Sequence, residues 1–101
     1  MTFTLNAETL SFQEKQTKKS LTTIQKTYKY KLRKKCGYSS AYFAQLYTQK
    51  EWDVINKNGQ FKNEFEKICP KGKNVLNDKS MKSLYHFVNK YAKDSGEYPN
   101  S

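Results

Sequence analysis

The stretch Lys26-Thr27-Tyr28-Lys29-Tyr30-Lys31-Leu32-Arg33-Lys34-Lys35 holds six cations and no acid in ten residues. Ammonium and guanidinium groups at this density suit one task above others, which is holding an anion: carboxylate, sulfate or phosphate. Arg33 is the one arginine beside 18 lysines. An arginine offers a planar fork that grips a carboxylate or phosphate through two hydrogen bonds, whereas lysine is a point charge. Reading base edges in a nucleic acid relies on arginine, so the balance leans away from sequence-specific DNA binding. Lys26, Lys29, Arg33 and Lys34 are the candidate ligand contacts. Tyr30 joins them, because an off-stripe tyrosine among cations can stack on a sugar or base and hydrogen-bond to it. Its alternative role is packing against a neighbouring helix or chain.

Other reactive side chains are few. His86 is the one histidine, and it sits between Tyr85 and Phe87, where packing or surface exposure is the plain expectation. Glu64 and Glu66 are two apart on a predicted helix, so they point in different directions and read as surface charge rather than an acid/base pair. No Cys-x-x-Cys, His-x-x-x-His or Glu-x-x-His spacing is present to hold zinc. No phosphate loop, glycine-rich dinucleotide turn or nucleophile elbow occurs. The sequence therefore predicts a binding protein, not an enzyme, with no cofactor and no metal.

These side chains need a frame. The chain has 101 residues, of which 36% are hydrophobic and 15% aromatic. That is one domain with a thin core, in which large rings make up for scarce aliphatics. Asn6 can cap a helix, after which Leu10, Thr17, Leu21, Ile24, Tyr28 and Leu32 recur in steps of three, four and seven, one face of a helix. Gly37 suits its C-terminal cap. The prediction is one helix from Ala7 to about Lys35, long enough for part of it to project or pair with a second copy of the chain. Residues 1–35 carry nine cations against two acids, net +7, and residues 36–101 carry ten against seven, net +3. The charge excess thus rides on the long helix. Cations near a helix C-terminus complement its dipole, which relieves some of their mutual repulsion. A docked anion would relieve the rest.

Gly37-Tyr38-Ser39-Ser40 reads as a turn and Ala41–Tyr47 as a short helix. Thr48 and Glu51 have capping-box spacing ahead of a helix that carries Trp52 and Ile55. Phe61, Phe65 and Ile68 mark another helix, stopped by Pro70 and Gly72. Lys71–Asn77 reads as a basic loop. Asn77 or Asp78 caps a last helix with the stripe Met81, Leu84, Val88 and Tyr91, closed by Ser95-Gly96. Glu97–Ser101 reads as a flexible tail. No segment alternates with period two. The predicted fold class is all-α: a small helical bundle in a single domain, one long N-terminal helix plus three or four shorter ones.

Cys36 and Cys69 are open to two readings, a pair of buried thiols or one disulfide. A bridge would suit a thin core and would lean towards a secreted or periplasmic protein. No apolar run approaches a membrane span. No signal peptide is visible from Met1, which fits either a cytoplasmic protein or a mature form with an added Met.

Thr23-Ile24-Gln25-Lys26 is similar to the end of the Lys-Arg-Thr-Ile-Gln-Lys motif of Helicobacter neuraminyllactose-binding haemagglutinins. The chain also resembles the small, basic sialic-acid-binding adhesins of that group in its lysine and tyrosine content and its cysteine pair. The two residues before Thr23 are Leu21-Thr22, where the motif has Lys-Arg. The resemblance implies a sialylated or other acidic glycan as ligand, export, a formed Cys36–Cys69 disulfide, and ligand contacts from Thr23, Gln25 and Lys26. Partners to be weighed are an acidic glycan or another polyanion, nucleic acid using the same basic face, an acidic protein, and a second copy of the chain.

Overall fold

The computed structural model describes residues 19–99, and among them there are five helices and no strand. The fold is all-α. Helix α1 occupies residues 19–36 and α2 Ser40–Ala44. Helix α3 spans Gln49–Lys57, α4 Phe61–Ile68 and α5 Asp78–Lys90, with a 3-10 turn at Pro70–Gly72 between the last two. The predicted helical segment from Ala7 to residue 18 lies outside the described residues.

Helix α1 buries Leu21, Ile24, Tyr28 and Leu32. It departs from the continuous α-helix expected, because Tyr28–Leu32 is a π turn, closed by the Arg33 N–H on the Tyr28 carbonyl. The physical reason is the spacing. From Ile24 onward the inward positions come every four residues, and an α-helix of 3.6 residues per turn carries each such step about 40° further round. A wider turn rotates less per residue, so Leu32 and Cys36 stay aimed at the core. Gly37 then ends the helix in the left-handed region, φ 85°, and returns its N–H to the Arg33 carbonyl. A side chain is strained there.

Ser39 caps α2, its Oγ accepting from the Tyr42 N–H. This helix stops at Ala44, three residues short of the expected Tyr47. The Tyr47 carbonyl is held instead by the Lys93 N–H at 3.1 Å, and its hydroxyl reaches Glu64 Oε1. Thr48 and Glu51 form both halves of the capping box that starts α3, and the Asn77 side chain caps α5. Helix α5 ends at Lys90, before Ser95-Gly96, and residues 91–95 fold back in turns over the start of α3. Gln49 seals that junction, its N–H donating to Asp94 and its side-chain amide to the Asn89 carbonyl. Glu97, the first residue of the expected tail, pairs with Lys90 at 3.4 Å.

The core is built from rings. Phe43 meets Tyr28, Trp52 and Phe65 at centroid distances of 6.1, 5.5 and 5.8 Å, and Trp52 meets Phe61 at 5.7 Å. Trp52 is fully buried, so its indole N–H needs a partner, and the Ala44 carbonyl supplies one at 2.9 Å. Beneath the end of α1, Cys36 and Cys69 are joined as a disulfide. Gly72 is buried against that bridge. A methyl group there would lie 2.9 Å from Cys69 Sγ, 3.0 Å from Phe65 Cζ and 3.1 Å from Leu32 Cδ2. Gly72 therefore does more than stop a helix, because only a glycine lets α1, α4 and the 3-10 turn close on one another. Among the described residues no helix is long and apolar enough to cross a membrane.

Candidate anion-binding site

The αL cap at Gly37 reverses the chain beside the basic end of α1. That reversal sets Tyr38, Ser39 and Tyr42 opposite Lys29, Tyr30, Arg33 and Lys34. Together with Gly37 these residues line an open groove of about 760 Å3. Among the described residues its walls hold three cations, three tyrosines and a serine, and no carboxylate. The π turn shapes the cationic wall. Lys29 and Tyr30 lie within it, and Arg33, whose N–H closes it, follows directly with Lys34.

The opposite wall is tied down at several points. The Tyr38 hydroxyl donates to the Ile68 carbonyl at 2.7 Å, and the buried Tyr28 hydroxyl donates to the Tyr38 carbonyl at 3.2 Å. Burial, helped by the neighbouring Tyr42, pushes the Tyr38 hydroxyl above its ordinary value. Burial also raises Tyr28 strongly, so both stay protonated donors at neutral pH. Tyr38 and Tyr42 lie ring against ring, with centroids 5.2 Å apart. The disulfide at Cys36, one residue before Gly37, links the same loop to the end of α4.

Two rings remain available to a ligand. Tyr30 is 80% exposed and Tyr42 is 58% exposed. Tyr30 therefore takes no packing role among the described residues, and the Lys29 ammonium lies 6.0 Å from its ring centre. All six cations of the Lys26–Lys35 stretch are exposed. The ion pairs among the described residues, Lys57–Asp53 and Lys90–Glu97, leave those six without a carboxylate partner.

Four of the seven residues singled out from sequence, Lys29, Tyr30, Arg33 and Lys34, share this groove. Lys26 is exposed but lines no part of it, and Gln25 is half-buried outside it. Thr23 belongs to a second cleft, between α1 and α5. Thr27 and Lys29 show why the set divides: each is one residue from the buried Tyr28, one before and one after it, and so they fall on opposite flanks of α1. Lys31 and Lys35 also fall outside the groove, so the six cations surround the helix end rather than forming one face.

Sequence reasoning missed Tyr38, Ser39 and Tyr42. Their signal was the αL glycine, since a chain that reverses at Gly37 must run back alongside the residues just before it. His86 is exposed, with its ring 5.4 Å from that of Tyr85. Both cysteine sulfurs are bonded to each other, so neither is a thiolate nucleophile for it. No cluster of three or more His, Cys, Asp or Glu able to hold a metal ion occurs among the described residues. No family model, curated protein or solved structure matches the chain, so the reading rests on the groove itself.

Proposed function

We propose that the chain is a non-catalytic binding protein for an acidic glycan, a sialylated one above all, and that the Lys29–Tyr42 groove is where it docks. The observation that carries this reading is the company the cations keep. Lys29, Arg33 and Lys34 line a groove that holds no acid among the described residues and carries two exposed rings, Tyr30 and Tyr42. A sialic acid presents one carboxylate on a polyhydroxyl ring. Arg33 is suited to the carboxylate, the lysines to its field, and the tyrosines to the sugar face and hydroxyls. A groove so open binds one saccharide weakly, and several copies of the site would raise the strength. The Cys36–Cys69 disulfide supports a secreted or periplasmic setting, where such bridges persist. The resemblance at Thr23–Lys26 points to the same ligand, although Thr23 and Lys26 lie outside this groove.

The test is titration with sialyllactose and lactose, followed by NMR amide shifts over a salt series. Sialyllactose should shift the Lys29–Tyr42 amides saturably and lactose should not. Arg33→Ala should weaken binding by about tenfold or more, because a charge-assisted hydrogen bond contributes about 1.5–3 kcal/mol. Tyr30→Ala and Tyr42→Ala should weaken it without changing its salt dependence. If sialyllactose, heparin and duplex DNA all fade together at moderate salt, the surface is a general polyanion binder and the glycan reading is wrong. Tight single-stranded DNA binding that is lost with Tyr30 would put nucleic acid in its place.

A further inference from the structure

The second cleft lies on the other flank of α1, where that helix meets the first turns of α5. It measures about 370 Å3 and is lined by Lys19, Ser20, Thr23, Ile24, Thr27, Lys79, Ser80 and Ser83. Seven of these eight side chains are polar, two are cationic, and none is acidic. Ile24 is the apolar floor and is buried. The chemistry is unlike that of the first groove, which is aromatic. Here five hydroxyl-bearing residues share the lining with two lysines from different helices, Lys19 on α1 and Lys79 on α5.

From this lining we infer that the cleft binds a phosphate monoester carried on a small polyol such as a sugar. Lys19 and Lys79 supply two compact positive charges, the form in which lysine holds phosphate. The helix end adds little, because the Ser80 N–H is already given to the Asn77 side chain at 2.8 Å. Recognition therefore falls to side chains. Thr27 donates its hydroxyl proton to the Thr23 carbonyl at 2.9 Å, so its oxygen is turned out as an acceptor. The Ser20, Ser80 and Ser83 hydroxyls enter no hydrogen bond among the described residues and can each donate and accept. A bare phosphate needs donors only. A mixture of hydroxyl donors and acceptors beside two cations matches an ester whose other end carries hydroxyls. The volume is at the small end of ligand-sized pockets, about 300–1,000 Å3, which fits one sugar ring with its phosphate.

The experiment is an NMR titration of the whole chain with glucose 6-phosphate, inorganic phosphate and glucose, at matched ionic strength. Glucose 6-phosphate should move the Ser20, Thr23, Ser80 and Ser83 amides saturably. Inorganic phosphate should bind at least several-fold more weakly, and glucose should not bind. Lys19→Ala with Lys79→Ala, both at exposed positions, should weaken the ester at least tenfold with amide dispersion unchanged. Ser83→Ala should weaken the ester more than inorganic phosphate. Arg33→Ala, in the other groove, should leave this binding as it was. Shifts centred on Lys29–Tyr42, or shifts that persist in the double lysine variant, would overturn the assignment. Equal affinity for phosphate and ester would overturn recognition of the polyol.

Discussion

Removing the Cys36–Cys69 bridge should lower stability by about 4 kcal/mol, and most of that loss should come from the unfolded chain. The two cysteines are 33 residues apart. Closing a loop of that length removes conformational entropy from the unfolded ensemble equivalent to about 4 kcal/mol at 25 °C. Small domains have only about 5–15 kcal/mol in total, so the bridge is a large share. The right variant is Cys36→Ala with Cys69→Ala, since Cys69 is 1% exposed and a serine would bury a hydroxyl. In a domain of this size each kcal/mol moves the melting temperature by about 4–8 °C. The fall seen by circular dichroism should then be about 15–30 °C. Urea unfolding separates the causes. An unbridged chain unfolds to a more expanded state, so its m-value should rise along with the drop in midpoint. A fall of under about 5 °C with an unchanged m-value would refute the loop-entropy reasoning.

Gly72→Ala should cost about 1–3 kcal/mol in urea unfolding, because the added methyl meets the disulfide, Phe65 and Leu32 at once. Trp52→Ala should cost about 3–5 kcal/mol, measured the same way, since it empties the centre of the ring cluster. The capping box should show in acid. The Thr48 backbone N–H, with help from the Thr48 side chain, holds the Glu51 carboxyl below its ordinary 4.5. Its stabilisation is therefore complete above that pH and is lost as pH falls through the lower folded value. Glu51→Gln, which removes the titrating carboxyl, should flatten that part of the pH–stability curve as followed by thermal melts.

The helical class and most helix starts were legible in the sequence because they rest on local signals. Thr48 with Glu51, Asn77, and the αL Gly37 act through neighbours three or four residues away, and each caps where its spacing implies. Helix ends were less legible. Tyr47 and Tyr91 continue an apolar pattern, yet their segments turn, because the Lys93 N–H and the Gln49 amide take up carbonyls across the molecule. The π turn could have been anticipated from inward residues spaced by four from Ile24 to Cys36. The cationic wall of the groove was visible as composition. Its aromatic wall was not, since Tyr38 and Tyr42 look like ordinary turn and core residues until the reversal at Gly37 places them. The packing role of Gly72 was hidden for a related reason: close approach of three segments leaves no trace in local spacing.

The wide turn at Tyr28–Leu32 gives α1 one residue more than a regular coil would need between Ile24 and Cys36. A shortened chain lacking Lys31 could rewind that stretch regularly and still present apolar residues inward on both sides of the deletion. Lys29 and Arg33 would then be three apart rather than four, as would Tyr30 and Lys34, so the groove's cationic wall would change its spacing. The surplus residue thus serves the outer surface of the rod more than its buried side, and its loss would separate docking from folding.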